Sequence, residues 1–178
     1  MEITPLETED LVLDVVDPSD CDALVAVRAS NPDRLARTEG SGEGAGHYDR
    51  AMLERDLMVA AFDPARLFLA VRRRDDGRVV GYVDVLDAHP DDGGPWLGAV
   101  EIAAAEQRQG YGRQCVEAVI DRARDVLGAK AIRAAIDDED GLARGFLERL
   151  GFQPVSQGTR TSPLGRVTVT VLERQLIG

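Results

Sequence analysis

Lysine is nearly absent from this chain: of 21 basic residues only Lys130 is a lysine, and the rest are arginines. No Gly-Lys-Ser/Thr run exists, which excludes a Walker-type nucleotide loop. Cysteine is also scarce. Cys21 and Cys115 are too few for a disulfide framework, and no Cys-x-x-Cys or histidine pair offers a metal site, so none is expected. Both read as free thiols of a reducing compartment. No apolar run approaches the roughly 20 residues of a membrane span. The segment Met1 to Asp10 is acidic and lacks the basic-then-apolar order of a signal peptide, so a cytoplasmic location is expected. Positive charge is in deficit: the net charge is -11, which disfavours nucleic acid as a partner.

What is present reads as one mixed α/β domain over residues 1–178. Leu11 to Val16 is a β-rich run. Asp17-Pro18-Ser19-Asp20 starts a helix that Asn31-Pro32 ends. Residues 37–46 alternate with glycine and read as a loop, and a second helix is expected over Tyr48 to Ala61. Leu67–Arg72, Arg78–Leu86 and Trp96–Ala103 follow as strands joined by tight turns, the first at Asp75-Asp76-Gly77. A helix from Gly110 to Leu127 carries Cys115, Val116, Val119, Ile120, Ala123, Val126 and Leu127 on one stripe, and Gly128 stops it. Lys130–Ile136 is a strand parallel to the one before that helix. A last helix, Gly141 to Leu150, ends at Gly151, before a closing pair over Gln153–Gln157 and Arg166–Gln175. The expected architecture is α+β: a mostly antiparallel twisted sheet of about seven strands with one parallel pair, and about four helices.

The stretch Gln107-Arg108-Gln109-Gly110-Tyr111-Gly112-Arg113-Gln114-Cys115 breaks a local rule. Helix starts attract acids, yet in a chain with 32 acidic residues none falls between Gln107 and Val116. Exposed backbone N–H groups at such an end suit an outside phosphate, and Arg108 and Arg113 add charge.

Gln107 to Gly112 matches the Gln/Arg-x-x-Gly-x-Gly/Ala signature of the GNAT acetyltransferase superfamily, which the chain resembles from Leu11 to Gln175. Trp96–Ile102 looks like that family's fourth strand. Phe146-Leu147-Glu148-Arg149-Leu150-Gly151-Phe152 looks like its final helix and Gly-Phe ending. The resemblance implies acetyl-CoA as co-substrate and transfer to an amine, on a small molecule or a protein N-terminus or lysine. It implies a bacterial, cytoplasmic enzyme and leaves a homodimer open. By resemblance, Gln107, Arg108, Gln109, Gly110, Tyr111, Gly112 and Arg113 form the pyrophosphate turn. The backbone near Val100 and Ile102 pairs with the pantetheine arm, and Asp140 stands where relatives carry an asparagine touching that arm.

Amine attack on a thioester requires loss of a proton from the ammonium. Glu101, on the strand facing the thioester, is the first candidate base, and Asp84 on the preceding strand the second. Asp137, Asp138 and His47 are further candidates. Many relatives place a tyrosine where this chain has Leu147, which cannot protonate the leaving thiolate. An acyl-CoA-binding or regulatory module with little catalysis is therefore the alternative reading. The acceptor site is expected between residues 37–48 and a loop from Gly158 to Gly165.

Overall fold

The computed structural model describes residues 3–39, 47–162 and 165–176. One eight-stranded sheet organises them. In chain order the strands are β1 (Leu6–Glu7), β2 (Leu11–Val15), β3 (Arg66–Arg73), β4 (Val79–Leu86), β5 (Trp96–Ile102), β6 (Ala131–Asp137), β7 (Gln153–Ser162) and β8 (Gly165–Gln175). Their spatial order is β1-β2-β3-β4-β5-β6-β8-β7. Every pairing is antiparallel except β5 with β6. Five helices complete the fold: α1 (Cys21–Ala29), α2 (Pro32–Glu39), α3 (Arg50–Ala61), α4 (Tyr111–Asp121, continued by a π-helical turn at Arg122–Val126) and α5 (Gly141–Arg149).

The α+β class with one parallel pair agrees with the sequence, and the counts rise by one each. The added strand is β1, two residues long and invisible to a periodicity argument. The added helix is α2. Asn31-Pro32 does end α1, but proline at the first helical position also starts a new helix, and Leu35 N–H donates to Asn31 O at 3.0 Å. The second expected helix begins two residues later than Tyr48, because Asp49 caps it by accepting from Met52 N–H. Gly158–Gly165 is not the expected loop. Gly158 pairs with Val169 and Ser162 with Gly165, so Gly158 to Ser162 belong to β7 and Gly165 to β8; residues 163–164 lie outside the described residues. Residues 40–46 of the glycine-rich stretch lie outside the described residues.

The sheet has two differently covered faces. On one, Val116, Val119, Ile120 and Ala123 of α4 pack with Leu13, Leu69, Val83 and Ile132. On the other, Leu24 and Val27 of α1 and Leu53 of α3 pack with Tyr82 and Phe68. At the end of α5, Gly151 takes φ +85°, Gly151 N–H donates to Glu148 O and Phe152 N–H to Leu147 O. Phe152 is fully buried beside Leu147; truncating such a ring costs about 3–5 kcal/mol.

Candidate active site

The glycine-rich turn at the start of α4 is built to leave donors open. Gly110 takes φ +82° immediately before the helix, a conformation that L-residues rarely adopt. Gln114 N–H makes the first intrahelical bond, to Gly110 O at 3.0 Å. Among the described residues no protein group accepts from the N–H groups of Gln109, Gly110, Tyr111, Gly112 and Arg113. The nearest acid in sequence, Glu106, is buried and held by Arg78 at 2.9 Å, Arg73 at 3.7 Å and the Gln109 side chain at 3.2 Å. The turn therefore keeps its positive character. Arg108 is exposed there, with no ion pair or hydrogen bond among the described residues. Arg113 instead pairs with Glu117 at 2.7 Å.

Beside this turn the sheet opens. The parallel strands β5 and β6 pair only at Trp96–Arg133 and Leu97–Ala134. Beyond that point Gly98 and Ala135 are exposed and Ala99 and Val100 half-buried, although β5 is the fifth strand of eight. The register shift against β4 leaves Gly98 as an extra residue between Leu97 and Ala99. A β-bulge of this kind redirects the strand away from its neighbour. Two facing strand edges with unpaired backbone result, a template for an extended ligand. Helix α5, which follows β6, flanks the opening: the Phe146 ring lies 3.4 Å from where a Gly112 Cβ would sit.

On the helix-covered side of the opening stands Glu101, with 3% of its surface exposed. Its Oε2 accepts from Tyr82 OH at 2.8 Å and lies 3.2 Å from Arg34 Nε. Its Oε1 accepts from Asn31 Nδ2 at 3.1 Å. Burial, and next the Glu101 charge, push the Tyr82 phenol above its ordinary range, so Tyr82 is a donor at physiological pH. Helix α2 bridges the opening through Arg34 to Glu101 and through Arg37 to Asp140 at 3.9 Å.

The other sequence candidates are placed as follows. Ile102 contributes a carbonyl that is already occupied, by Asn31 Nδ2 and Gln107 Nε2, both at 3.0 Å. Gln107 turns its side chain inward to that carbonyl and to Asn31. Asp140 caps α5 by accepting from Ala143 N–H at 3.0 Å. Asp84 is gripped by Arg66 at 2.9 and 2.6 Å and lies against Gly98. Asp137 pairs with Arg160, and Asp138 accepts from Thr170. His47 bonds Asp49 on the surface, and Tyr48 donates to Asp56 beneath the Arg28 guanidinium. Tyr111 and Leu147 belong to the core. Burial pushes the Cys115 thiol up to about 12, which removes it as a nucleophile. Asn31, Tyr82 and Arg34 are site residues that sequence reasoning missed. Only the Asn-Pro boundary hinted at any of them.

The acetyltransferase (GNAT) family model matches residues 33–152, more than half of the chain. The chain belongs to the GNAT acetyltransferase family. A GNAT acetyltransferase is by family an acyltransferase, with acetyl-CoA as co-substrate. Solved structures agree on the fold. An acetyltransferase from Thermus thermophilus is 24% identical, with a TM-score of 0.74 over 97% of this chain and 99% of that one. A GCN5-related N-acetyltransferase from Brucella melitensis is 18% identical, with a TM-score of 0.80 over 99% and 80%. A ribosomal-protein-S5-alanine acetyltransferase from Vibrio fischeri is 15% identical, with a TM-score of 0.71 over 97% of each chain. No curated protein matches the chain at significant similarity. In this GNAT chain the signature Gln107–Gly112 coincides with the open amides, and the interrupted β5–β6 pair lies directly upstream of it.

Proposed function

We propose that the chain, acting over 1–178 as one unit, is a cytoplasmic N-acetyltransferase that moves an acetyl group from acetyl-CoA to an amine by direct attack. The observation that carries this reading is the opening between β5 and β6 beside five unpaired amides. The amides of Gln109 to Arg113 and the Arg108 guanidinium hold the pyrophosphate. The free edge near Val100 pairs with the pantetheine arm as an added strand. Ile102, its carbonyl occupied, helps only through its place in β5. Asp140 Oδ2, held loosely by Arg37, accepts from the arm.

A backbone N–H along Gly98–Val100, without a partner on β6, polarises the thioester carbonyl. Glu101 accepts the ammonium proton, directly or through water. Its hydrogen bonds, from Asn31 and Tyr82, use two of about four lone-pair sites. Asp84 is the weaker base, since Arg66 engages both of its oxygens. The new C–N bond forms as the C–S bond breaks. The excess proton then shed by the acetylated nitrogen passes through water to the departing thiolate, because Leu147 and Tyr111 are committed to the core.

Calorimetric titration with acetyl-CoA, followed by an assay of free thiol release with a panel of amines, tests the reading. Saturable binding with turnover supports it. The second reading, an acyl-CoA-binding module, is favoured by Leu147 alone and predicts tight binding without turnover on any amine. Absence of binding overturns both.

A further inference from the structure

We propose that Asn31 is a positioning residue that locks the phosphate-binding turn to the Glu101 carboxylate, so that donor binding and proton acceptance stay in register. The inference rests on the transferase reading above and adds a component to it. Asn31 sits between α1 and α2, far in sequence from the strand and turn it joins. Its Nδ2 reaches Val27 O at 3.2 Å, Glu101 Oε1 at 3.1 Å and Ile102 O at 3.0 Å. Its Oδ1 accepts from Gln107 Nε2 at 2.8 Å. One amide thus joins the last residue of β5, the first residue of the GNAT signature, the carboxylate and the end of α1.

Two features mark this as more than helix capping. An asparagine directly before a first-turn proline is well suited to cap its own helix by accepting from an amide two or three residues on. Among the described residues Oδ1 accepts from Gln107 and from no amide of α2. The side chain has been diverted from the local bond to distant ones. The amide also has only one workable orientation. Reversed, Oδ1 would face the Glu101 carboxylate and two carbonyl oxygens, all acceptors, while Nδ2 would face the Gln107 amide nitrogen. Aspartate cannot substitute, since it brings a second carboxylate against Glu101 and loses the donors.

Tyr82 and Arg34 both bind Oε2, so Asn31 alone fixes Oε1 among the described residues. Without it Glu101 can rotate about its remaining contacts. Small misplacements of a reacting group are costly in rate. Gln107 would lose its link to the carboxylate but keep Ile102 O, so the turn itself should persist.

The test uses Asn31→Ser, because serine cannot make these distant bonds together but can cap α2 locally, which offsets the stability lost with them. The expected result is an unchanged thermal midpoint, acetyl-CoA affinity within about threefold, and kcat reduced at least about tenfold with a displaced pH profile. Combining Asn31→Ser with Glu101→Gln should cost no more than Glu101→Gln alone. Wild-type kcat and pH profile in Asn31→Ser, or losses that multiply in the double variant, overturn the proposal and leave the transferase reading standing. A second readout does not need turnover. With carboxyl-labelled glutamate, CoA should move the Glu101 carbon resonance in the wild-type protein and not in Asn31→Ser. An unmoved wild-type resonance overturns the coupling even where no amine is acetylated. Failure of the wild-type protein to bind acetyl-CoA overturns both readings.

Discussion

Gly81 on β4, paired with Ile102 on β5, abuts the Glu101 backbone: a Cβ on Gly81 would fall 2.3 Å from the Glu101 carbonyl oxygen and 2.8 Å from Ile102 Cδ1. The strands can approach this closely only because that methyl is missing. Gly81→Ala must push β5 away. It should lower stability by about 1–3 kcal/mol and reduce kcat more than acetyl-CoA affinity. Urea unfolding together with steady-state kinetics checks this. A variant with wild-type stability and rate would show that the strands are free to separate there.

Glu101→Gln keeps an acceptor for Tyr82 and removes both the charge facing Arg34 and the basic site. Turnover with a reactive amine should fall by about 100-fold, within the range for loss of a positioned base, while acetyl-CoA affinity stays near the wild-type value. If the rate and its pH profile are unaltered, Glu101 is not the base.

Arg108 is exposed and unpaired among the described residues at the open helix end, so Arg108→Ala should leave stability unchanged. Loss of a charge-assisted bond to phosphate should weaken acetyl-CoA binding by about tenfold and flatten its salt dependence. Gly112→Glu is the stronger variant: it sets a carboxylate at the same end and presses on the Phe146 ring, and binding should be lost. Retained affinity in Gly112→Glu would falsify the placement of the pyrophosphate.

Burial raises the Cys115 thiol to about 12, and burial also raises Cys21. A folded-state value above the unfolded one contributes stability that is complete below the unfolded value and is lost as pH rises toward the folded one. Tyr48 and Tyr82 are raised in the same direction, in each case mainly by burial. The urea midpoint should therefore hold to about pH 8.5 and fall steadily toward about pH 10.5. Thiol reagents should label neither cysteine in the native protein at about pH 8 and both after unfolding. A midpoint level across that range, or prompt native labelling, contradicts this.

Local order was legible where one residue's conformational demand decides it. Gly77, Gly110, Gly128 and Gly151 were each read from sequence as a turn or helix boundary, and each takes positive φ. The apolar stripe of α4 is buried from Cys115 to Ala123 as its spacing required, but Val126 and Leu127 are exposed, because the turn over Arg122–Val126 is π-helical and rotates them off the α-helical stripe. The sequence misled where a residue had two permitted uses. Pro32 could close one helix or open another, and only packing of Leu35 into the α1 side of the core selects the second. Gly158–Gly165 is rich in turn formers, yet the long edge of β8 offers ladder bonds that extend β7 to Ser162.

The sequence by itself determined the open-amide turn at the start of α4, because glycine placement and the missing acids act over one helical turn and need no distant partner. The tertiary structure decided the rest of the site. Whether β5 and β6 stay paired depends on a bulge at Gly98 set by β4, and no pattern within β5 records it. Which side chains meet Glu101 depends on how α1 and α2 lie across the sheet, bringing Asn31 and Arg34 to a strand that begins more than sixty residues later. Hydrogen bonds of that kind join positions the chain separates, so packing alone assigns them.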